Sequence, residues 1–225
     1  MIIAKFVVIA LIGYLLGSIP VGLIISKRKA KIDIRQYGSG KTGGTNVLRM
    51  LGRKAFLMVV FLDVSKGALA VVIAGLIIGQ EYMIIGNSGL GILFVQVIAA
   101  LAAMAGHIWP VFVKFKGGRG VATFFGGLIA LCPVAGLFGG EALIIGAGLS
   151  GFASLGSIIG VVGAYAILIP LTVIYGFPIE YLGYVLIGTV LILFVHRDNI
   201  KRLLSGKERR LNEKAEQHSS STRST

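Results

Sequence analysis

Between Arg119 and Arg197 the chain carries no lysine or arginine, and its only acids in that stretch are Glu141 and Glu180. No soluble core needs so long an uncharged run. Blocks of about 20 apolar residues instead match a hydrocarbon slab roughly 30 Å thick. Soluble domains hold about 25% charged residues; here 14% of the 225 residues are charged and 56% are hydrophobic. The chain therefore reads as an all-α polytopic membrane protein. The first apolar block, residues 2–26, lacks a basic segment followed by a small-residue cleavage site, so it reads as a retained helix. The one cysteine, Cys132, excludes an intrachain disulfide, and no cysteine or histidine spacing suggests a metal or cofactor site.

The charges divide the sequence. Residues 27–54 hold nine cations, from Lys27 to Lys54, against a single acid, Asp33. Lys114, Lys116 and Arg119 form a second patch, and eight more cations follow from Arg197 onward. The formal charge of +13 would suggest nucleic acid in a soluble chain, but in a membrane chain it reads as the positive-inside bias, with no nucleic acid implied. If all three patches share the cytoplasmic side, the crossings between them are even in number. Two helices fit residues 55–113, turning near Gln80–Asn87. Four short ones fit residues 120–195, with outer turns at Glu141 and Glu180 and an inner turn near Ser150–Ser157. The expectation is a seven-helix transmembrane bundle, N-terminus outside and C-terminus cytoplasmic, with five helices as the alternative. Residues 1–205 form the bundle, and residues 206–225 read as a basic, disordered cytoplasmic tail. The 33 glycines suit membrane helices that approach closely.

Two loops carry glycine together with cations. The first runs Tyr37-Gly38-Ser39-Gly40-Lys41-Thr42-Gly43-Gly44-Thr45-Asn46-Val47-Leu48-Arg49. Glycines let backbone N–H groups converge on an anion, and Arg can grip phosphate with a two-pronged fork. A flexible loop with topological cations is the competing reading. A nucleotide-binding P-loop is excluded, because position 35 is Arg rather than Gly and no strand precedes it. The second loop, Lys114-Phe115-Lys116-Gly117-Gly118-Arg119-Gly120-Val121, feeds an apolar helix, whose N-terminus favours an anion. A surface for anionic lipid headgroups is the alternative there. The third patch, His196-Arg197-Asp198-Asn199, lies at the exit of the last helix; on a helix His196 and Asn199 share a face. Asp63 and Lys66, three residues apart inside an apolar block, suit a buried pair bracing the site, with direct ligand contact by Lys66 as the alternative.

Together these residues resemble one family, the bacterial acyl-phosphate:glycerol-3-phosphate acyltransferases, or PlsY family. The resemblance rests on Gly38-Ser39-Gly40, Gly43, Thr45-Asn46, Arg49, Asp63, Lys66-Gly67, Gly106-His107, Pro110, Lys114-Phe115-Lys116-Gly117-Gly118, Gly120-Val121-Ala122-Thr123, His196, Asn199-Ile200 and Arg202-Leu203. It spans Gly17 to Glu208, and the Lys-Phe-Lys-Gly-Gly segment is its most specific part. The chain departs from the family pattern at Lys41, where Asn is usual, at Gly44 for Ala, at Arg119 for Lys and at Val195 for Arg. Arg119 keeps the charge with altered contact geometry, and Lys41 adds a cation.

The resemblance implies transfer of a fatty acyl group from acyl phosphate to the sn-1 hydroxyl of glycerol 3-phosphate. The products are lysophosphatidic acid and phosphate, in the first step of phospholipid synthesis at the cytoplasmic face of a bacterial inner membrane. It implies catalytic roles for Ser39, Arg49, His196 and Asn199. Substrate binding falls to Thr45, Asn46, Lys66, Lys116, Gly117, Gly118, Arg119, Gly120 and Ser157, with no metal and no cofactor. The implied partners are the two substrates, the lipid bilayer and an upstream acyl-phosphate-forming enzyme. The His-x₄-Asp signature of other glycerolipid acyltransferases is absent, since Phe112 follows His107 and Lys201 follows His196 at that spacing. The competing reading of the same cations is a transporter of an organic phosphate, with Asp63 as its coupling residue.

Overall fold

The computed structural model describes residues 2–217 apart from 82, 86, 87 and 215. Nine α-helices follow in order among them: α1 (Ile2–Ser18), α2 (Val21–Ala30), α3 (Gly44–Ile78), α4 (Ile92–Ile108), α5 (Val121–Leu131), α6 (Pro133–Ser150), α7 (Ala153–Tyr175), α8 (Ile179–Val195) and α9 (Arg197–Leu204). A small antiparallel hairpin, β1 (Met83–Ile85) with β2 (Ser88–Leu90), joins α3 to α4. It falls at the turn expected near Gln80–Asn87, of which residues 82, 86 and 87 lie outside the described set.

Five helical stretches are long and apolar enough to cross a bilayer: Ile2–Ala30, Gly44–Ile78, Ile92–Val113, Pro133–Ser150 and Ala153–Tyr175. A sixth results if α8 and α9, bent by 63° at His196, count as one. The protein is thus an all-helical membrane protein with five or six crossing-length helices. The remaining apolar helix, α5, has 11 residues, which at 1.5 Å per residue gives about 16 Å, half the hydrocarbon thickness.

One expected turn is misplaced. Glu141 does not mark an outer turn; it lies exposed in the middle of α6. The chain reverses earlier, at Cys132, and Pro133 opens α6. Proline at a first helical position lacks only an N–H that would have no partner there, so Pro133 was the stronger signal. Glu180 does fall in the first turn of α8, and Gly151–Phe152 forms the turn expected near Ser150–Ser157.

Small residues set the helix crossings. A Cβ on Gly17 would stand 1.9 Å from the carbonyl oxygen of Ala103, and one on Gly106 2.1 Å from that of Tyr14, so α1 and α4 meet backbone to backbone. The same holds for α3 with α5: Gly67 abuts the Thr123 carbonyl at 2.2 Å and Gly126 the Val64 carbonyl at 2.0 Å. α5 occupies the centre. Phe124 and Tyr184 stack there with centroids 5.2 Å apart, and the Tyr184 hydroxyl donates to the Phe124 carbonyl at 2.8 Å. Packing of this kind, rather than a hydrophobic force, holds membrane helices together.

Two breaks aim the loops. Pro20 separates α1 from α2. Gly52, at φ 78° inside α3, takes a conformation that L side chains rarely adopt, and so sets the turn carrying Asn46 and Arg49 at an angle to the rest of the helix. Lys5 and Lys66, the two cations outside the three patches, are both paired, with Glu81 and Asp63 respectively.

Gly106→Ala should cost about 1–3 kcal/mol, the usual penalty for overpacking, and lower the melting temperature in detergent. Gly140→Ala, where a Cβ meets nothing within 4 Å, should melt like the parent. Equal melting of the two variants would refute the crossing geometry.

Candidate functional site

The three basic patches meet at one end of the bundle around a cavity of about 540 Å³. The first loop supplies Gly38, Ser39 and Lys41, the second Phe115, Gly118 and Arg119, and the third Arg197, Asp198, Asn199 and Arg202. Ile108, Trp109, Phe194 and Val195 give the cavity an apolar side. The juxtaposition expected from topology is therefore present.

The first loop is shaped by Asn46, which is buried. Its Nδ2 donates to the carbonyls of Ile34, Tyr37 and Lys41 at 3.1, 2.9 and 3.0 Å, and its Oδ1 accepts from the Ser39 N–H at 3.2 Å. All its polar atoms are spent on the backbone. Asn46 thus organises the loop that presents Ser39 instead of binding substrate itself. Thr45 sits half-buried in the first turn of α3 and does not line the cavity.

In the second loop the N–H groups of Gly117 and Gly118 are used up. They donate to the carbonyls of Ile108 and His107 at 3.3 and 3.0 Å, closing the end of α4. These two amides, expected to face phosphate, are engaged within the protein here, and the two glycines are needed for space. A Cβ on Gly118 would lie 2.1 Å from His107 Nε2, and one on Gly117 2.1 Å from the His107 carbonyl oxygen. Gly120, at φ 76°, then turns the chain into α5, whose first N–H groups lack helical acceptors. Lys116 points outward, exposed and away from the cavity. Lys114 and Phe115 both take left-handed backbone conformations, at φ 56° and 59°. Non-glycine residues pay for such strain only where the surroundings enforce it, and here it sets the Phe115 ring at the cavity edge.

Arg119 is the central cation. Its Nε is buried with no hydrogen-bond partner among the described residues. Burial pushes the guanidinium down to about 10; Glu208 opposes the fall, while Arg202, Arg49 and Arg209 add to it. A half-buried guanidinium with an unpartnered Nε among like charges is an anion site in waiting. Lys41, at the cavity rim, is likewise held below the ordinary lysine range by burial and by Arg119 and Arg197.

The third patch is tied by an acid that the sequence reading passed over. Glu208 accepts from Asn199 Nδ2 at 2.6 Å, Arg202 Nε at 2.8 Å and Ser154 Oγ at 3.0 Å. His196, 1% exposed, has its Nδ1 2.8 Å from the Ile192 carbonyl oxygen and does not line the cavity. The Ser157 hydroxyl is turned to its own helix, donating to the Ala153 carbonyl at 2.8 Å; Ser154, one turn earlier, is buried and supports the site through Glu208. Arg49 is also turned away from the cavity. Its Nε and Nη2 donate to the carbonyls of Arg209 and Arg210 at 2.9–3.1 Å. Of the expected tail, residues 207–211 and 216–217 are fastened to the loops around the site, and residues 218–225 lie outside the described set. The signal available was Glu208 itself, one acid among Lys207, Arg209 and Arg210.

Beneath the loops lies a buried cluster. Lys66 Nζ is 2.9 Å from Asp63 Oδ1 and donates to the Ile19 carbonyl at 3.1 Å, at the break before Pro20. His107 Nδ1 is 3.4 Å from the same Asp63 oxygen. Lys66 is thus a structural ion-pair partner, apart from the cavity lining. The cluster ties the α1–α2 break, α3 and the end of α4 to the glycines of the second loop.

A membrane helix bundle with a cation-lined cavity at one end, open along an apolar side, defines a membrane protein built to handle anionic amphiphiles. Comparison with known proteins agrees. The profile of the glycerol-3-phosphate acyltransferase family matches residues 7–206. The chain is 68% identical to glycerol-3-phosphate acyltransferase 3 of Dehalococcoides mccartyi (strain CBDB1), over 96% of this chain and 100% of that one. It is 44% identical to the glycerol-3-phosphate acyltransferase of Thermoanaerobacter pseudethanolicus, over 93% and 98% of the two chains. Crystal structures of PlsY (YgiH), an integral membrane glycerol 3-phosphate acyltransferase, superpose with TM-scores of 0.78 for the glycerol 3-phosphate form and 0.77 for the lysophosphatidic acid form. Those chains are 36% and 35% identical to this one, with 91% of this chain and 94% of theirs covered. The chain belongs to the glycerol-3-phosphate acyltransferase family, in its integral membrane PlsY branch, and is an acyltransferase. The transporter reading falls away.

Two outcomes follow from the site. Gly118→Ala should raise the substrate KM about tenfold by forcing His107 against the loop; an unchanged KM would remove the loop from the site. Inorganic phosphate should raise the melting temperature by mass action, and Arg119→Gln should abolish that rise.

Proposed function

We propose that the enzyme transfers a fatty acyl group from acyl phosphate to the sn-1 hydroxyl of glycerol 3-phosphate, releasing lysophosphatidic acid and phosphate. The observation that carries this reading is Arg119, half-buried in the cavity wall with a buried, unpartnered Nε and further cations around it. Glycerol 3-phosphate is the ligand named for one related PlsY structure and lysophosphatidic acid for the other.

In the proposed reaction the substrate hydroxyl attacks the acyl carbonyl carbon and the carbon–oxygen bond to phosphate breaks. The hydroxyl proton passes to a base, and the phosphate group carries away the electron pair. Acyl phosphate is already activated, so the protein's task is to position two anions and to stabilise the departing charge. Arg119, Lys41 and the start of α5 hold phosphate, Ser39 faces the reacting centre, and Asn199 orients glycerol 3-phosphate. Arg49 joins them once its contacts to the Arg209 and Arg210 carbonyls are exchanged for substrate. His196 Nδ1 is engaged by the Ile192 carbonyl and its ring lies behind the cavity lining, so it positions the α8–α9 corner carrying Asn199, and the substrate's own phosphate takes the proton. The acyl chain lies along Trp109, Phe115, Phe194 and Val195.

In topology we infer seven apolar helices counting α5, with the N-terminus outside, the C-terminus cytoplasmic, and the site at the cytoplasmic face of a bacterial inner membrane. The 20 cations of the three patches support that orientation. An acyl-phosphate-forming enzyme is the partner the reaction calls for. The membrane-embedded unit extends past residue 205 to the segment that packs on the site.

The test is phosphate release by the purified protein in detergent with palmitoyl phosphate and glycerol 3-phosphate, run beside palmitoyl-CoA. Turnover with acyl phosphate alone is expected; none at all would refute the reading. Ser39→Ala and Arg49→Ala should each lower kcat/KM about 100-fold or more with the fold retained. Raising the pH discharges Lys41 earlier than an ordinary lysine, so KM should climb under alkaline conditions, and Lys41→Asn should flatten that climb.

A further inference from the structure

The segment after α9 is the least expected part of the site. The family profile ends at residue 206, yet the chain beyond it is fastened at several points. Gly206, at φ 69°, reverses the chain, and the Lys207 N–H donates to the Arg202 carbonyl at 2.8 Å. Glu208 holds Asn199, Arg202 and Ser154. The Leu211 N–H donates to the Gly151 carbonyl at 2.9 Å, at the α6–α7 turn. Further on, the Gly38 N–H donates to the Glu216 carbonyl at 2.9 Å, and Tyr37 forms an antiparallel bridge with Gln217. The segment is a strap from the third patch to the first loop.

Arg209 lies between these anchors. Its side chain lines the cavity, and its Nη1 donates to the Gly38 carbonyl at 3.0 Å, one residue from Ser39. A guanidinium has five N–H donors in a rigid fork, so this one bond fixes the group and leaves the others for an anion. Across the cavity stands Arg119, and the two are close enough for Arg209 to perturb its charge.

We propose that the strap completes the anion cavity and that Arg209 is a substrate-binding residue, gripping a phosphate group jointly with Arg119. This rests on reading the cavity as a phosphate site. That phosphate belongs to glycerol 3-phosphate or to acyl phosphate; the chemistry is shared, and kinetics separates the two. The same strap carbonyls orient Arg49, so strap and substrate are coupled through two arginines.

The experiment compares the full-length enzyme with Arg209→Ala and Arg209→Lys, varying each substrate in turn. Loss of one charge-assisted contact should raise the KM for one substrate about tenfold. The substrate whose KM moves identifies the phosphate. kcat should stay within about threefold, and Arg209→Lys should recover part of the loss. Melting temperatures without substrate should agree among the three proteins. Unchanged KM values for both substrates would overturn the proposal. So would a fall in kcat with a lowered melting temperature that lysine does not rescue, because that marks a purely structural strap. If the parent shows no turnover, the proposed reaction fails on its own. The strap is then read from the melting shift given by inorganic phosphate, which Arg209→Ala should diminish; an equal shift in both proteins would overturn it.

Discussion

Mutual repulsion among cations is the constraint around which this end of the molecule is built. Arg49, Arg119, Arg202 and Arg209 are brought together, and among the described residues Glu208 is the buried acid between them. Such a gathering is unfavourable in isolation, and three devices contain it. Glu208 neutralises one unit of charge while fastening Asn199, Arg202 and Ser154. Backbone carbonyls absorb part of the rest, from Arg209 and Arg210 to Arg49 and from Gly38 to Arg209. Arg119 keeps a buried Nε with no partner among the described residues. On the proposed reading, the residual positive field is what an anionic substrate relieves, so binding and structural relaxation are one event.

The bilayer-embedded part exists to hold these groups in register. Backbone-to-backbone crossings of α1 with α4 and α3 with α5 leave no room for sliding, because the contacts are with carbonyl oxygens rather than flexible side chains. The Asp63, Lys66 and His107 cluster carries that rigidity upward, from the Ile19 carbonyl through α3 to the underside of Gly118. Its ionic bonds form where water is scarce, and breaking a buried pair leaves a charge uncompensated at a cost of about 3–5 kcal/mol. Loop geometry at the surface is in this way anchored in the membrane interior.

Much of this was legible in the residues. Long uncharged runs gave the membrane class, and the clustering of cations with glycines located Ser39, Arg119 and Asn199 at one cavity. What escaped was legible only in three dimensions. Asn46 looks like a ligand-binding residue because its amide is versatile, but that same versatility lets it satisfy the backbone of its own loop. Gly117 and Gly118 look like phosphate-binding amides, yet their N–H groups finish α4, and only the space beside His107 explains why they are glycine. Glu141 looks like a turn marker because charges are rare there, whereas Pro133 carried the topological information. The strap escaped because a polar, basic terminus has the composition of disorder, and one acid in it is a weak signal until its three partners are seen.

The 63° bend between α8 and α9 places Phe194 and Val195 on one side of His196 and Arg197 and Asp198 on the other. On the proposed topology the cavity therefore straddles the seam between oil and water. On the proposed reaction, the soluble substrate and the two products enter or leave on different sides. Inorganic phosphate and glycerol 3-phosphate belong to the aqueous side, and the single-tailed lipid belongs to the other. Partition between the phases then sorts the products without a gate. A cell gains from this a reaction pulled forward by dilution of its lipid into the surrounding leaflet.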